Sequence, residues 1–396
     1  MATILTINGG SSSIRAALYA CSTPLRRALS ASIDRIGLPG TRLSLRDADG
    51  KVTHEDRPAA ITDNRSAAEC LFDRLEATGL CSDLEAAGHR IVNGAAHSAP
   101  ERITVALLEE LRRLTPFDPE HLPREIELVE VLRERRPALP QVACFDTAFH
   151  RRMPPVTKRL SLPRRYAAQG IERLGFHGLS YEYLVGELRR LAEPAATHGR
   201  IVLAHLGNGA SLCAVRDGLS IDTSMSFTPS SGILMSTRSG DLDPGLAYYL
   251  ARTEQLTPRA FQTMITHASG LLGISETSSD VQDLLRAEAA DVRAAEALES
   301  FCYQVKKSIG AYAAALGGLD ALVFAGGIGE HAAPIRARIC TGLEFLGIEL
   351  DARANKTAAG DAPAVLISTP GSRVRVRVIR TDEEIMIAEQ TRGVLS

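Results

Sequence analysis

Hydrophobic and polar positions fall in short runs along this chain, and twice a run breaks at a glycine turn and resumes. Residues 201–215 read Ile201-Val202-Leu203-Ala204, then His205-Leu206-Gly207-Asn208-Gly209-Ala210-Ser211, then Leu212-Cys213-Ala214-Val215. The pattern predicts strand, turn, strand. Residues 3–20 repeat it: an apolar alternation meets Asn8-Gly9-Gly10-Ser11-Ser12-Ser13 and continues through Ile14 to Tyr19. Glycines let backbone N–H groups approach a ligand closely, and such a turn can cradle a phosphate. The alternative, a pair of ordinary tight turns, is weakened by the recurrence. Neither turn is a P-loop, which needs GxxxxGK[ST] before a helix.

Between and after these turns the pattern predicts further elements. Residues 38–58 form a polar hairpin turning at Asp47-Ala48-Asp49-Gly50. Residues 66–80 suit a helix, and 85–92 a strand with Arg90 near its end. Residues 104–136 are helical in two pieces, broken at Pro116-Phe117-Asp118-Pro119, with Ile126, Val129 and Leu132 on one face. Gln141 to Phe145 is a buried strand ending in Asp146. Gly175-Phe176-His177-Gly178 reads as a second strand end, before a helix opened by Ser180, and 191–200 as a loop. Asp243-Pro244 starts a helix. A glycine-rich segment at 270–285 leads to Ser278-Ser279-Asp280, which caps another. The clearest helix is 291–317, with Ala295, Leu298, Cys302, Val305, Ile309, Tyr312 and Leu316 on one face and Gly317-Gly318 ending it. Leu322 to Ala325 runs into a third glycine loop, Gly326 to His331, with a helix from about Pro334. Residues 374–380 alternate as a strand, and Thr381-Asp382-Glu383-Glu384 forms a capping box into the closing helix.

The 396 residues exceed one typical core, so two domains are expected. A net charge of −2 supplies no broad basic face for nucleic acid. No apolar stretch nears the ~20 residues of a membrane span, and the N-terminus lacks the basic region of a signal peptide. The 7 cysteines are scattered with no CxxC, which suits reduced thiols rather than disulfides or zinc. A cytoplasmic protein is expected.

Several residues stand out chemically. Arg238 lies among small polar residues, where a guanidinium suits phosphate or carboxylate oxygens. Arg15 follows the first turn and reads as a phosphate ligand or a solvated strand charge. Asp146 is a magnesium or positioning candidate, or a cap for the residues after it. His177, between glycines, suits an active site. His121, at a helix break, reads as solvated. Glu383 favours its helix dipole whatever else it does.

Taken together, the motifs resemble the acetate kinase family over nearly the whole chain. They are NGGSSSIR at 8–15, HRIV at 89–92, FDTAFH at 145–150, GFHG at 175–178, HLGNGAS at 205–211, DTSM at 222–225, TRSGDLDPG at 237–245, GIGE at 327–330 and TDEE at 381–384. The resemblance implies an α/β fold of the duplicated two-domain sugar-kinase/actin/Hsp70 type, with a nucleotide cleft between domains. The expected domains are 1–150, joined by a closing helix at about 385–396, and a nucleotide-binding domain at 151–384. It implies reversible in-line transfer of the γ-phosphoryl group of ATP to acetate, giving acetyl phosphate and ADP. Propionate or a more polar acid is an alternative acceptor, and a non-catalytic nucleotide-binding regulator a further alternative.

By position, the resemblance makes Asp146, His177, Arg238 and His121 catalytic. It assigns Arg90, Val92, Phe176 and Pro229 to the acid. Arg15, His205, Leu206, Gly207, Asn208, Gly209, Asp280, Val281, Gln282, Gly327, Ile328, Gly329, Glu330 and His331 fall to the nucleotide. Asn8 and Glu383 match the residues for Mg²⁺, or Mn²⁺ in its place. A homodimer is implied, with no nucleic-acid or membrane partner. The chain departs from the family at Pro119-Glu120-His121, where a leucine usually lines the methyl pocket in place of Glu120. It also departs at Asn93-Gly94-Ala95, at Tyr181, at Gln282, at Thr228-Pro229-Ser230-Ser231-Gly232 and at His331. An unpaired carboxylate against a methyl group is costly, so Glu120 is expected to turn away from the acid.

Overall fold

A computed structural model describes residues 2–10, 12–58, 61–358 and 363–396; Ser11 of the first glycine turn lies outside them. The chain divides into two compact units, Met1–Arg151 with Asp382–Ser396, and Arg152–Thr381.

Among the described residues, the first unit holds an eight-stranded sheet. Its strands are β1 (Thr3–Gly9), β2 (Ser13–Ala20), β3 (Arg26–Asp34), β4 (Arg42–Asp47), β5 (Val52–Asp56), β6 (Leu84–Ile91), β7 (Glu101–Arg102) and β8 (Gln141–Phe145). They run in the order β5-β4-β3-β2-β1-β6-β8-β7. The second unit holds a six-stranded sheet of β9 (Arg200–Leu206), β10 (Ala210–Arg216), β11 (Leu219–Thr223), β12 (Ala321–Ala325), β13 (Ala364–Leu366) and β14 (Arg375–Ile379). Its order is β11-β10-β9-β12-β14-β13.

The two sheets share a plan. In each, a glycine hairpin and a third strand form an antiparallel meander, β1-β2-β3 or β9-β10-β11. Two later strands then add in parallel beside the first, β6 and β8 or β12 and β14. This is the expected duplicated α/β architecture. Parallel neighbours need crossovers, and helices supply them. Leu122–Arg135 buries Ile126, Val129 and Leu132, and the 25-residue helix Val292–Leu316 buries Leu298, Phe301, Val305, Ile309 and Leu316. Each such side chain contributes about 1.5–3 kcal/mol when fully removed from water.

The closing helix, Glu383–Leu395, packs on the first sheet. Gly88 of β6 allows it: a β-carbon there would sit 2.1 Å from Thr391 Oγ1 and 2.6 Å from Ile387 Cγ2. The close approach brings Glu383, at the helix start, to the ends of β1 and β6.

Four expectations need correction. Gly175-Phe176-His177-Gly178 follows no strand: Gly175 and His177 both take positive φ, 76° and 59°, which breaks any extension, and a helix begins at Gly178. The third glycine loop is itself a short helix, Gly326–His331, entered through Gly326 at φ 74°. The closing helix is capped by Asp382, which accepts from Ile385 N, not by Thr381. Residues 191–200 are not all loop, since they contain the short helix Ala195–His198. Among the described residues no helix is long and apolar enough to cross a membrane. None of the seven cysteines is in a disulfide.

Candidate active site

In the first unit, β1, β6 and β8 run parallel, and three candidates lie at their carboxyl ends, where α/β sheets gather chemistry. Arg90, near the end of β6, is the hub. Its Nη1 donates to Asn8 Oδ1 at 3.1 Å, and its Nε and Nη2 both donate to Asp146 Oδ2 at 3.1 and 2.5 Å. Asn8 Nδ2 donates to Glu383 Oε2 at 3.0 Å, and that oxygen lies 3.8 Å from Arg90 Nε. Burial works against the Arg90 charge, but the Asp146 and Glu383 carboxylates outweigh it and hold the guanidinium above its ordinary pKa. Asp146 Oδ1 is buried and has no hydrogen-bond partner among the described residues. Residues from positions 8, 90, 146 and 383 therefore form one bonded cluster.

His121 is not the solvated histidine its position at a helix break suggests. Its side chain is 15% exposed, and its Nδ1 lies 2.8 Å from Oδ1 of the buried Asp118. Val92 is buried, and its N–H is shared by both carboxylate oxygens of Glu125, at 3.2 and 3.1 Å. Burial, then the nearby Asp118 charge, pushes the Glu125 carboxyl well above the usual range. Arg15 is exposed and stands opposite Asn8 in the β1–β2 ladder. Glu120 is half-buried.

In the second unit, His177 occupies a left-handed backbone position just before its helix. Its Nδ1 lies 2.9 Å from Ser211 Oγ, which in turn lies 2.5 Å from the hydroxyl of the buried Tyr181. The His177 ring stacks on His205 with centroids 4.3 Å apart. His205 Nδ1 lies 2.8 Å from Ser180 Oγ, and that hydroxyl lies 2.8 Å from Thr381 Oγ1. The β9–β10 turn runs between these groups and an arginine: a β-carbon on Gly209 would lie 3.3 Å from His177 Nε2 and 3.4 Å from Arg238 Nη1. Arg238 Nη1 also donates to the Pro229 carbonyl at 3.0 Å. A β-carbon on Gly207 would lie 3.8 Å from His205 Nε2 and 3.9 Å from Gly327 N, so the turn also borders the start of helix Gly326–His331.

The remaining candidates are placed as follows. Phe176, Leu206 and Val281 are buried. The Asn208 carbonyl accepts from Ser236 N at 3.3 Å. Asp280 caps helix Val281–Ala287, and Gln282 Oε1 accepts from Arg286 Nη2 at 3.4 Å. Gly327 and Ile328 lie in the short helix Gly326–His331, and Gly329 is buried in it. The Glu330 carboxylate accepts from Gly326 N and Thr381 N at 3.0 and 3.1 Å, and His331 is exposed beside it. Asp118 and Glu125 do not stand out in the sequence. A carboxylate in a turn and one on a helix each read as ordinary structure until their partners are known.

Among the described residues no group of three or more His, Cys, Asp or Glu side chains is arranged to hold a metal. A site with Glu383, the Asn8 carbonyl and the unpartnered Asp146 oxygen offers few but hard oxygen donors. That set fits Mg²⁺, which keeps several waters and takes only one or two carboxylates beside substrate phosphates.

Comparison with known proteins places these residues in context. The family model described as the acetokinase family matches residues 3–389. The chain is 42% identical over 388 residues to an acetate kinase of Rhodopseudomonas palustris, covering 97% of this chain and 96% of that one. Among solved structures it is similar to the acetate kinase of Porphyromonas gingivalis, with a TM-score of 0.88, 34% identity and 100% of both chains covered. It is likewise similar to a propionate kinase from Francisella tularensis, with a TM-score of 0.90, 33% identity and 100% of both chains covered.

Proposed function

The chain belongs to the acetokinase family, and from that premise we propose how its residues run the acetate kinase reaction, reversible transfer of the γ-phosphoryl group of ATP to acetate. The observation that carries the assignment of roles is the flanking of Gly209 by His177 Nε2 and Arg238 Nη1, which aims two donors at one glycine turn.

Acetate is already ionised at neutral pH, because simple carboxylic acids titrate near pH ~4, so no general base is needed. What the reaction needs is an in-line carboxylate oxygen and relief of its repulsion by the phosphates. Arg90 binds the carboxylate. Its tie to Asp146 fixes the plane of the guanidinium, and its tie to Asn8 fixes the direction. Val92, Phe176 and Pro229 supply apolar surface for the methyl group. The acetate oxygen forms a bond to the γ-phosphorus as the bond from that phosphorus to the bridging oxygen breaks, and ADP carries away the electron pair. Negative charge spreads over the three equatorial oxygens. His177, His121 and Arg238 donate to them, which stabilises the transition state more than the ground state. The β9–β10 turn and helix Gly326–His331 present backbone amides to the phosphates of the nucleotide. Glu383 and Asn8 would hold Mg²⁺, with Asp146 beside them; when bound, the ion neutralises phosphate charge.

Trapping acyl phosphate with hydroxylamine across short acids, with Mg-ATP, tests this reading. Arg90→Ala, Arg238→Ala and His177→Ala variants that fold are expected to lose most turnover. Full turnover in them overturns the assigned roles. Propionate is a second acceptor, supported by the likeness to a propionate kinase. The same panel ranks the two acids, and Glu120→Leu raises acetate use only if the Glu120 carboxylate occupies the methyl pocket.

The protein works in the cytoplasm, a reading supported by seven cysteines that form no disulfide. It acts as a homodimer. Helix Gly245–Thr253 buries none of its residues, and Leu242, Leu246, Tyr248 and Tyr249 are 43%, 39%, 66% and 60% exposed around it. An apolar patch of that kind is what a second copy would cover.

A further inference from the structure

Asp118 has no role in the reading above, yet its surroundings are unusual for a turn residue. It follows the short helical turn Thr115–Phe117 and precedes helix Leu122–Arg135, and it is only 3% exposed. Its Oδ1 accepts from the His121 backbone N–H at 3.2 Å and lies 2.8 Å from the ring nitrogen Nδ1. Its Oδ2 is buried with no hydrogen-bond partner among the described residues. Holding the backbone N–H requires no charge, since a serine or asparagine does that as well. Keeping a buried carboxylate with one oxygen unpartnered is expensive. The charge must therefore be directed at the imidazole.

A carboxylate oxygen only accepts, so the shared proton belongs to Nδ1, and Nε2 is the nitrogen left for a ligand. A neutral ring in that tautomer would turn a bare lone pair toward a phosphate, which is repulsive. A doubly protonated ring donates at both nitrogens and is held between two anions. Glu125 stands one turn further along the helix. Burial and the Asp118 charge both favour its neutral form. His177 differs, because its Nδ1 meets a neutral hydroxyl, that of Ser211.

We propose that Asp118 is a positioning residue for His121: it fixes the proton on Nδ1 and keeps the ring doubly protonated when a phosphate oxygen meets Nε2. His121 then acts as a cationic donor, not a neutral one. The inference rests on the reading that His121 faces the phosphoryl group.

The test is ¹⁵N NMR of the His121 ring in the full-length protein, free and with acetyl phosphate alone, alongside steady-state kinetics. The free protein is expected to carry the proton on Nδ1, and the acetyl phosphate complex a proton on both nitrogens. Asp118→Asn keeps the backbone contact and loses the charge. It is expected to lose the second proton and to lower kcat about tenfold or more, with KM for ATP changed less than about twofold. Asp118→Glu restores part of kcat. A proton on Nε2 alone in the wild-type protein overturns the inference, and that measurement needs no variant to fold. Wild-type kcat in Asp118→Asn, with His121→Ala impaired, overturns it while leaving the role of His121 intact. Wild-type kcat in His121→Ala overturns the role of His121 and this inference with it.

Discussion

Asn8 and Glu383 stand 375 positions apart in the chain and share a hydrogen bond of 3.0 Å. The bond closes the Arg90 cluster, because Asn8 accepts from Arg90 with its other side-chain atom. Glu383→Gln preserves the shape and removes the charge. We expect it to lower kcat about a hundredfold or more and to raise the Mg²⁺ concentration needed for half-maximal rate. Magnesium titrations of initial rate check this, and an unchanged titration in the variant removes Glu383 from the metal site.

Gly209 packs closely against two side-chain donors. In Gly209→Ala the new methyl group would press on His177 Nε2 and Arg238 Nη1 from 3.3 and 3.4 Å. Both donors must yield by a few tenths of an ångström. We expect kcat to fall about tenfold, since misplacing donors by a fraction of an ångström weakens what they do at the transition state. The melting temperature should stay close to wild type. A normal kcat in this variant separates the turn from the chemistry.

Gly88 is where the closing helix meets β6. Gly88→Ala places a carbon 2.1 Å from Thr391 Oγ1 and 3.2 Å from the Ile387 carbonyl. Backbone cannot move aside cheaply, so we expect a loss of about 2 kcal/mol or more in unfolding free energy. Chemical denaturation measures it. Activity should fall as well, because the displaced helix carries Glu383.

His89 lies inside the first sheet, 1% exposed. Burial pulls its pKa down from 6.5 to about 4. The unfolded chain therefore binds a proton between those values that the folded chain refuses. Stability is complete above about pH 6.5 and falls as the pH drops toward 4. The loss is up to about 3 kcal/mol at 1.36 kcal/mol per unit. Denaturation curves of wild type and His89→Gln over this range are expected to differ in slope, the variant being flatter. Parallel slopes assign acid sensitivity to other groups.

Tyr248 and Tyr249 head the exposed apolar helix of the second unit. The double variant Tyr248→Glu, Tyr249→Glu is expected to give the mass of one chain in light scattering, where the wild type gives two. A wild-type chain that is already single ends the dimer reading.

Much of the fold is legible in the sequence, because alternation and glycine turns encode strands and hairpins locally. The β1–β2 and β9–β10 hairpins, the break near Pro116 and the helix Val292–Leu316 all depend on neighbours in sequence. What failed depends on backbone angles or on distant partners. Nothing local distinguishes the positive φ of His177 from a strand end. The glycines at 326–329 read as a loop, yet β12 and the backbone of Leu206 hold them as a helical turn. His121 reads as solvated because its partner, Asp118, looks like a turn residue. Arg90 can be singled out from its motif, but only the fold connects it to residues near both ends of the chain.

The packing of the closing helix on β6 has a consequence for synthesis on the ribosome. The strands of the first unit emerge early and can pair, but Glu383 is made 375 residues after Asn8. A nascent chain halted before Glu383 can pair Arg90 with Asn8 but lacks the carboxylate that both of them meet.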